Sequence, residues 1–101
     1  MACCYVLYSP SRDQYYVGST HDEFVKRLDE HQTEYYGSNH FTSGTKDWEE
    51  FMIISCASYG QARKIENHIK RMKSRTYIRN LKQYPEMVMK LIKRTSDNSR
   101  L

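Results

Sequence analysis

Two aromatic and β-branched runs, Cys-Tyr-Val-Leu-Tyr-Ser at residues 4–9 and Tyr-Tyr-Val-Gly-Ser at 15–19, stand only five residues apart. No other feature of the chain narrows its fold as much. Side chains of this kind suit a pleated, half-buried surface. The intervening Pro-Ser-Arg-Asp-Gln supplies turn chemistry, so the two runs are expected to close into a β-hairpin. Side chains alternate between faces along a strand, which sends the neighbours Tyr15 and Tyr16 to opposite sides of the sheet. Gly18 ends the second run without a side chain, so backbone or ligand can approach closely there.

The remainder of the chain reads mostly as helix. Thr20 or Asp22 can cap a helix over about 22–34, with Phe24, Val25 and Leu28 as a modest apolar face. Residues 35–46 are rich in Gly, Ser, Thr and Asn without periodicity, and are expected to form a loop. In so small a domain a loop of that length is functional or mobile. The apolar run from Phe51 to Ala57 suits a buried third strand. From Gln61 to about Lys73, Ala62, Ile65, Ile69 and Met72 recur at helical spacing. A further helix over 76–83 should stop before Pro85, because proline disfavours helix at the residue preceding it. Pro85 then suits the first turn of a last helix over 85–94. The order β-β-α-β-α-α-α specifies an α+β fold, a small sheet flanked by helices. It is expected to form one domain over residues 1–94, followed by a flexible C-terminal tail over 95–101.

Charge is distributed unevenly. Residues 1–62 carry four Lys and Arg against nine Asp and Glu, a balance of −5. Residues 63–94 carry eleven against two, a balance of +9. A basic half of this kind is an electrostatic footprint for a polyanion, although a solvated helix face also fits it. Cys3, Cys4 and Cys56 are odd in number and match neither a disulfide framework nor zinc spacing, so reduced, buried thiols are expected. No apolar run approaches the ~20 residues of a membrane span. The N-terminus lacks the basic region and cleavage pattern of a secretory signal, which makes the cytoplasm the expected location.

Among residues able to carry chemistry, Arg27 and His31 lie four apart and would share one helix face, as a solvated pair or as part of a site. Glu66 is the lone acid between Arg63 and Pro85 and sits at the margin of its helix's apolar stripe. It can pair with Lys70 at i,i+4, or hold a hard divalent metal through oxygen. His21, His40 and His68 have no partner at metal spacing and read as polar surface residues. Trp48 suits the core or the start of the third strand. Tyr35 and Tyr36 could stack on unpaired bases.

Taken in order, these motifs resemble a GIY-YIG nuclease domain, of the short stand-alone bacterial kind related to the nuclease module of the DNA-repair excinuclease. The resemblance covers roughly residues 3–82. Its first motif is Cys-Cys-Tyr-Val-Leu, with Cys3 and Cys4 in place of Gly-Ile before Tyr5. The second is Tyr16-Val17-Gly18, followed by Ser19-Thr20. Arg27-Leu28 with His31 follows, and then Ile65-Glu66 with Ile69-Lys70 and Lys73-Ser74-Arg75. The asparagine that larger members carry about twelve residues after the glutamate is replaced here by Ile78; Asn80 lies two further on, a candidate helper.

The resemblance implies a three-stranded antiparallel sheet that gathers Tyr5, Tyr16, Arg27, His31 and Glu66 into an active site, with Tyr16 facing it and Tyr15 facing away. It implies an endonuclease in which Glu66 holds one Mg²⁺ or Mn²⁺ and Lys70, Lys73 and Arg75 hold phosphates. The implied partner is nucleic acid, DNA foremost, with no membrane and no obligate protein partner. Recognition would rest on backbone charge and shape rather than sequence, in DNA repair or processing. RNA as substrate, or a binding module without catalysis, are the alternatives.

Overall fold

The computed structural model describes residues 2–21 and 47–96. The expected helix over 22–34 with Arg27 and His31, the loop over 35–46 with Tyr35, Tyr36 and His40, and the last residues of the tail lie outside them.

Three strands, β1 (Cys3–Ser9), β2 (Gln14–Thr20) and β3 (Glu49–Ser55), form an antiparallel sheet in the order β2-β1-β3. The hairpin pairs Cys3 with Thr20 through to Ser9 with Gln14, which leaves a four-residue loop over 10–13. β3 occupies 49–55 rather than the apolar run 51–57. The shift has two causes. An irregularity in the β1–β3 register at Val6/Leu7 makes room for Phe51, so the charged Glu49 and Glu50 still pair, on an edge strand where they can face water. Downstream, Ser58 caps the next helix and pulls Cys56 and Ala57 out of the sheet.

Three helices follow, α1 (Tyr59–Met72), α2 (Arg75–Gln83) and α3 (Pro85–Thr95). α1 begins two residues before the sequence pattern suggests, because the Ser58 side chain accepts from the Gln61 N–H and satisfies one of the orphan donors of the first turn. It ends at Lys73, whose backbone is left-handed, φ 47°. Ser74 caps α2 in the same manner by accepting from the Tyr77 N–H. Pro85 opens α3 from its first turn, as expected.

The sheet divides the interior in two. Cys4, Val6, Val17, Ile54 and Cys56 pack against Ala62, Ile65 and Ile69 of α1, Ile78 and Leu81 of α2, and Leu91 of α3. Each fully buried aliphatic side chain here contributes about 1.5–3 kcal/mol. Buried Gln61 stitches this layer together. Its Oε1 accepts from the Ala57 N–H, and its Nε2 donates to the Ile92 carbonyl and to Thr95 Oγ1. Cys3, Tyr5, Leu7 and Trp48 form the second cluster, on the opposite face, with Tyr16 against it. All three cysteines are free and buried, and burial pushes their thiols up, Cys4 most strongly. No described helix is long and apolar enough to cross a membrane.

The hairpin tip is latched to α2. Asp13, at φ 51°, accepts from Arg75 Nη2 at 2.6 Å and from the Tyr8 hydroxyl at 2.6 Å. The Arg75 guanidinium, then the Tyr8 hydroxyl, hold the Asp13 carboxyl down at about 2, below its ordinary 3.8. A carboxyl with a depressed folded-state pKa stabilises the fold above its unfolded value and loses that contribution as pH falls through the folded one. The stability gap between the native protein and Asp13→Asn should therefore be constant above pH about 4 and close as pH approaches about 2. Thermal melts of the two proteins across that range check this, and a gap that persists at the acid end would contradict it.

Candidate active site

Alternation along β1 and β2 places Tyr5 and Tyr16 on the same sheet face and Tyr15 on the other. The Tyr5 and Tyr16 ring centroids are 6.4 Å apart, and Trp48 meets the Tyr16 ring edge-on at 6.3 Å. Tyr5 lies on the central strand directly across from Gly18, and it is fully buried. Its ring is laid over that glycine: a Cβ at residue 18 would stand 2.6 Å from both Cζ and the hydroxyl oxygen of Tyr5, and 3.1 Å from Cε1 of Tyr16. Gly18 thus sets where the Tyr5 phenol can rest.

Glu66 arrives from the other layer. The Ile65 and Ile69 side chains of α1 are buried against the sheet, and one step round the helix the Glu66 carboxylate reaches the outer rim of β2. Only 13% of its side chain is exposed. The Ser19 hydroxyl donates to Oε1 at 2.5 Å, Lys70 Nζ donates to Oε2 at 2.6 Å, and Arg63 Nε stands 3.9 Å from Oε1. The Lys70 ammonium also lies 6.0 Å from the Tyr16 ring centroid. A single lysine head therefore separates the carboxylate of one layer from the phenol of the other, and the two meet at the β2 edge.

No group of three or more His, Cys, Asp and Glu side chains among the described residues could cage a metal unaided. One partly buried carboxylate with a hydroxyl beside it suits a hard cation that keeps several waters and takes substrate phosphate oxygens as its other ligands, the usual habit of magnesium. The donor set fits such an ion better than a soft metal, because the thiols are buried in the two cores.

Beside this rim, Lys70, Lys73, Ser74 and Arg75 line a groove of about 350 Å³ together with Asp13 and Tyr15. Lys64, Arg71, Lys70 and Lys73 line a second one along the outer side of α1. Lys70 and Lys73 thus border both grooves. Arg75 is held by Asp13 and lies over the Tyr15 ring at 5.4 Å. The GIY-YIG catalytic domain model matches residues 1–82. The chain belongs to the GIY-YIG family. GIY-YIG domains are nucleases, which supports nuclease activity in general for this chain and implies a nucleic-acid substrate. GIY-YIG nucleases generally use divalent metal ions. Comparisons with curated proteins and with solved structures returned no match.

Within the GIY-YIG frame, the two cysteines of the first motif part company. Cys3 is buried in the Tyr5 cluster and Cys4 in the helical core. Sequence reasoning passed over two features of this site. Ser19, the hydroxyl partner of Glu66, is distant from it in sequence, and no local signal joins them. His21, expected to be a plain surface residue, stacks on Tyr59 at 3.8 Å between ring centroids. His68 likewise has a partner: Tyr77, at 3.0 Å from its Nε2.

Proposed function

We propose that the protein is a divalent-metal-dependent endonuclease that hydrolyses DNA phosphodiester bonds and selects its substrate by structure rather than sequence. The meeting of the Tyr5–Tyr16 phenols and the Glu66 carboxylate at the rim of β2 carries this reading. Glu66 would hold one Mg²⁺ or Mn²⁺ in the place where the Lys70 ammonium now sits. That ion supplies Lewis-acid polarisation of the phosphoryl oxygen and steadies the leaving 3′-oxygen.

The chain's own groups then divide the work. Tyr5, pinned over Gly18, orients or deprotonates the attacking water, with His31 relaying its proton; a phenol of ordinary pKa near ~10 needs such help at neutral pH. Tyr16 contacts the phosphate. Arg27 neutralises the charge that grows on the phosphate oxygens as the transition state forms. Lys70, released from Glu66, and Lys73 and Arg75 beside the groove hold flanking phosphates, a sequence-independent grip. DNA repair or processing in the cytoplasm is the setting this reading suggests, one in which the three thiols remain reduced.

The test is a panel of single-stranded, duplex and branched DNA and matching RNA, each with Mg²⁺, Mn²⁺ or a chelator. Cutting of DNA that requires a divalent ion supports the reading. Cutting confined to RNA moves the substrate, and binding to every member without cutting any overturns the enzyme.

A further inference from the structure

At the end of β2 furthest from the hairpin tip, three side chains assemble that the catalytic scheme leaves unused. His21, exposed, stacks on Tyr59 with an interplanar angle of 21° and 3.8 Å between centroids. Arg63 lies 5.9 Å from the Tyr59 ring centroid. A hydrogen bond to the Tyr59 hydroxyl holds the Arg63 guanidinium pKa up. The ground beside them is open: a Cβ at Gly60 would have only Ser58 Oγ within 4 Å, at 3.8 Å.

The group adjoins the proposed reaction centre on both of its chain connections. His21 follows Ser19 by two residues, and the Ser19 hydroxyl is bonded to Glu66. Arg63 stands 3.9 Å from the same carboxylate oxygen. Whatever lies on the His21 ring is therefore about one nucleotide from a phosphate held at Glu66.

We propose that His21, backed by Tyr59, is a stacking platform for one unpaired nucleobase next to the scissile phosphate, with Arg63 on the connecting phosphate. The substrate class is thus a strand with at least one base out of pairing, single-stranded or at the foot of a flap. A base inside a duplex is already stacked on both faces and cannot lie on the platform without being extruded, whereas an unpaired base gains a π-surface at no such cost. The preference is blind to base identity, since every base presents a π-face. This proposal rests on the nuclease reading above and specifies the substrate of that same site.

Its test is binding in chelator, so that no cutting intervenes, by the full chain and by His21→Ala, His21→Phe and Tyr59→Leu. The probes are a short oligonucleotide carrying one 2-aminopurine and the blunt duplex of the same sequence, in DNA and in RNA. Wild type and His21→Phe should quench the single-strand fluorescence, and His21→Ala should not. The ratio of single-strand to duplex affinity should fall about tenfold in His21→Ala and in Tyr59→Leu, within the range measured for losing one base–aromatic stack. The drop should persist at high salt, where phosphate contacts fade. Whichever sugar shows the quench names the strand. Single-strand and duplex affinities that weaken in step, or a ratio equal to that of wild type in both variants, would overturn the platform while leaving the nuclease standing. Wild type that binds no nucleic acid would remove both.

Discussion

Glu66→Ala is expected to lower the rate of strand cutting by roughly a thousandfold, the scale of several kcal/mol that a Lewis-acid ion supplies to charge stabilisation. The protein should remain folded. An i,i+4 pair with a half-exposed lysine contributes only about 0.3–0.5 kcal/mol. The Ser19 hydroxyl, deprived of its acceptor, adds a cost of about 1 kcal/mol at most, because it is only part-buried. Activity and stability are therefore separable at this position. Cleavage assays beside thermal melts decide the matter: a variant that cuts at near-native rate would dismiss Glu66 as the metal carboxylate, and Ser19 with Lys70 would be left with a structural role only. Titration of Mn²⁺ binding by calorimetry gives an independent readout, since the variant should have lost the ion along with the activity.

Gly18→Ala should damage both properties at once. The added methyl would stand 2.6 Å from the end of the Tyr5 ring, a distance no pair of carbons tolerates. Tyr5 is fully buried on the central strand, between β2 and β3, so it cannot swing aside without disturbing its cluster with Leu7 and Trp48. Overpacking of this kind costs about 1–3 kcal/mol. The surviving folded molecules would carry a displaced phenol, and a misplacement of about 1 Å in a reacting group lowers rates about a hundredfold. Melting temperature and cleavage of the same preparation, compared at a temperature where the variant is still folded, check both halves. A variant as stable and as active as the parent would show that the phenol hydroxyl has no fixed position to lose.

The parts of this architecture that follow from local pattern were legible in the chain. Period-two alternation dictated that Tyr15 and Tyr16 separate, and they do, because nothing in a regular hairpin can override it. Ile65 and Ile69 had to face a core, which left Glu66 at the margin, where it is found 13% exposed. Boundaries went astray where a polar side chain outbid hydropathy. Ser58 starts α1 at Tyr59 although glycine follows, and the bulge at Phe51 moves β3 two residues towards the N-terminus. Contacts between distant segments were not legible at all. Ser19 meets Glu66, His21 meets Tyr59 and Asp13 meets Arg75 only because α1 and α2 are laid across β2, and no spacing within the sequence encodes that crossing.

Lys73 closes α1 with a left-handed backbone, a place where glycine sits without steric penalty and a lysine forfeits roughly 1 kcal/mol. Its ammonium stands between two basic grooves, so the residue that loosens the joint also thickens the positive field there. Position 73 is accordingly a point of exchange between endurance and grip: a glycine would make a tougher molecule with a poorer hold on a polyanion.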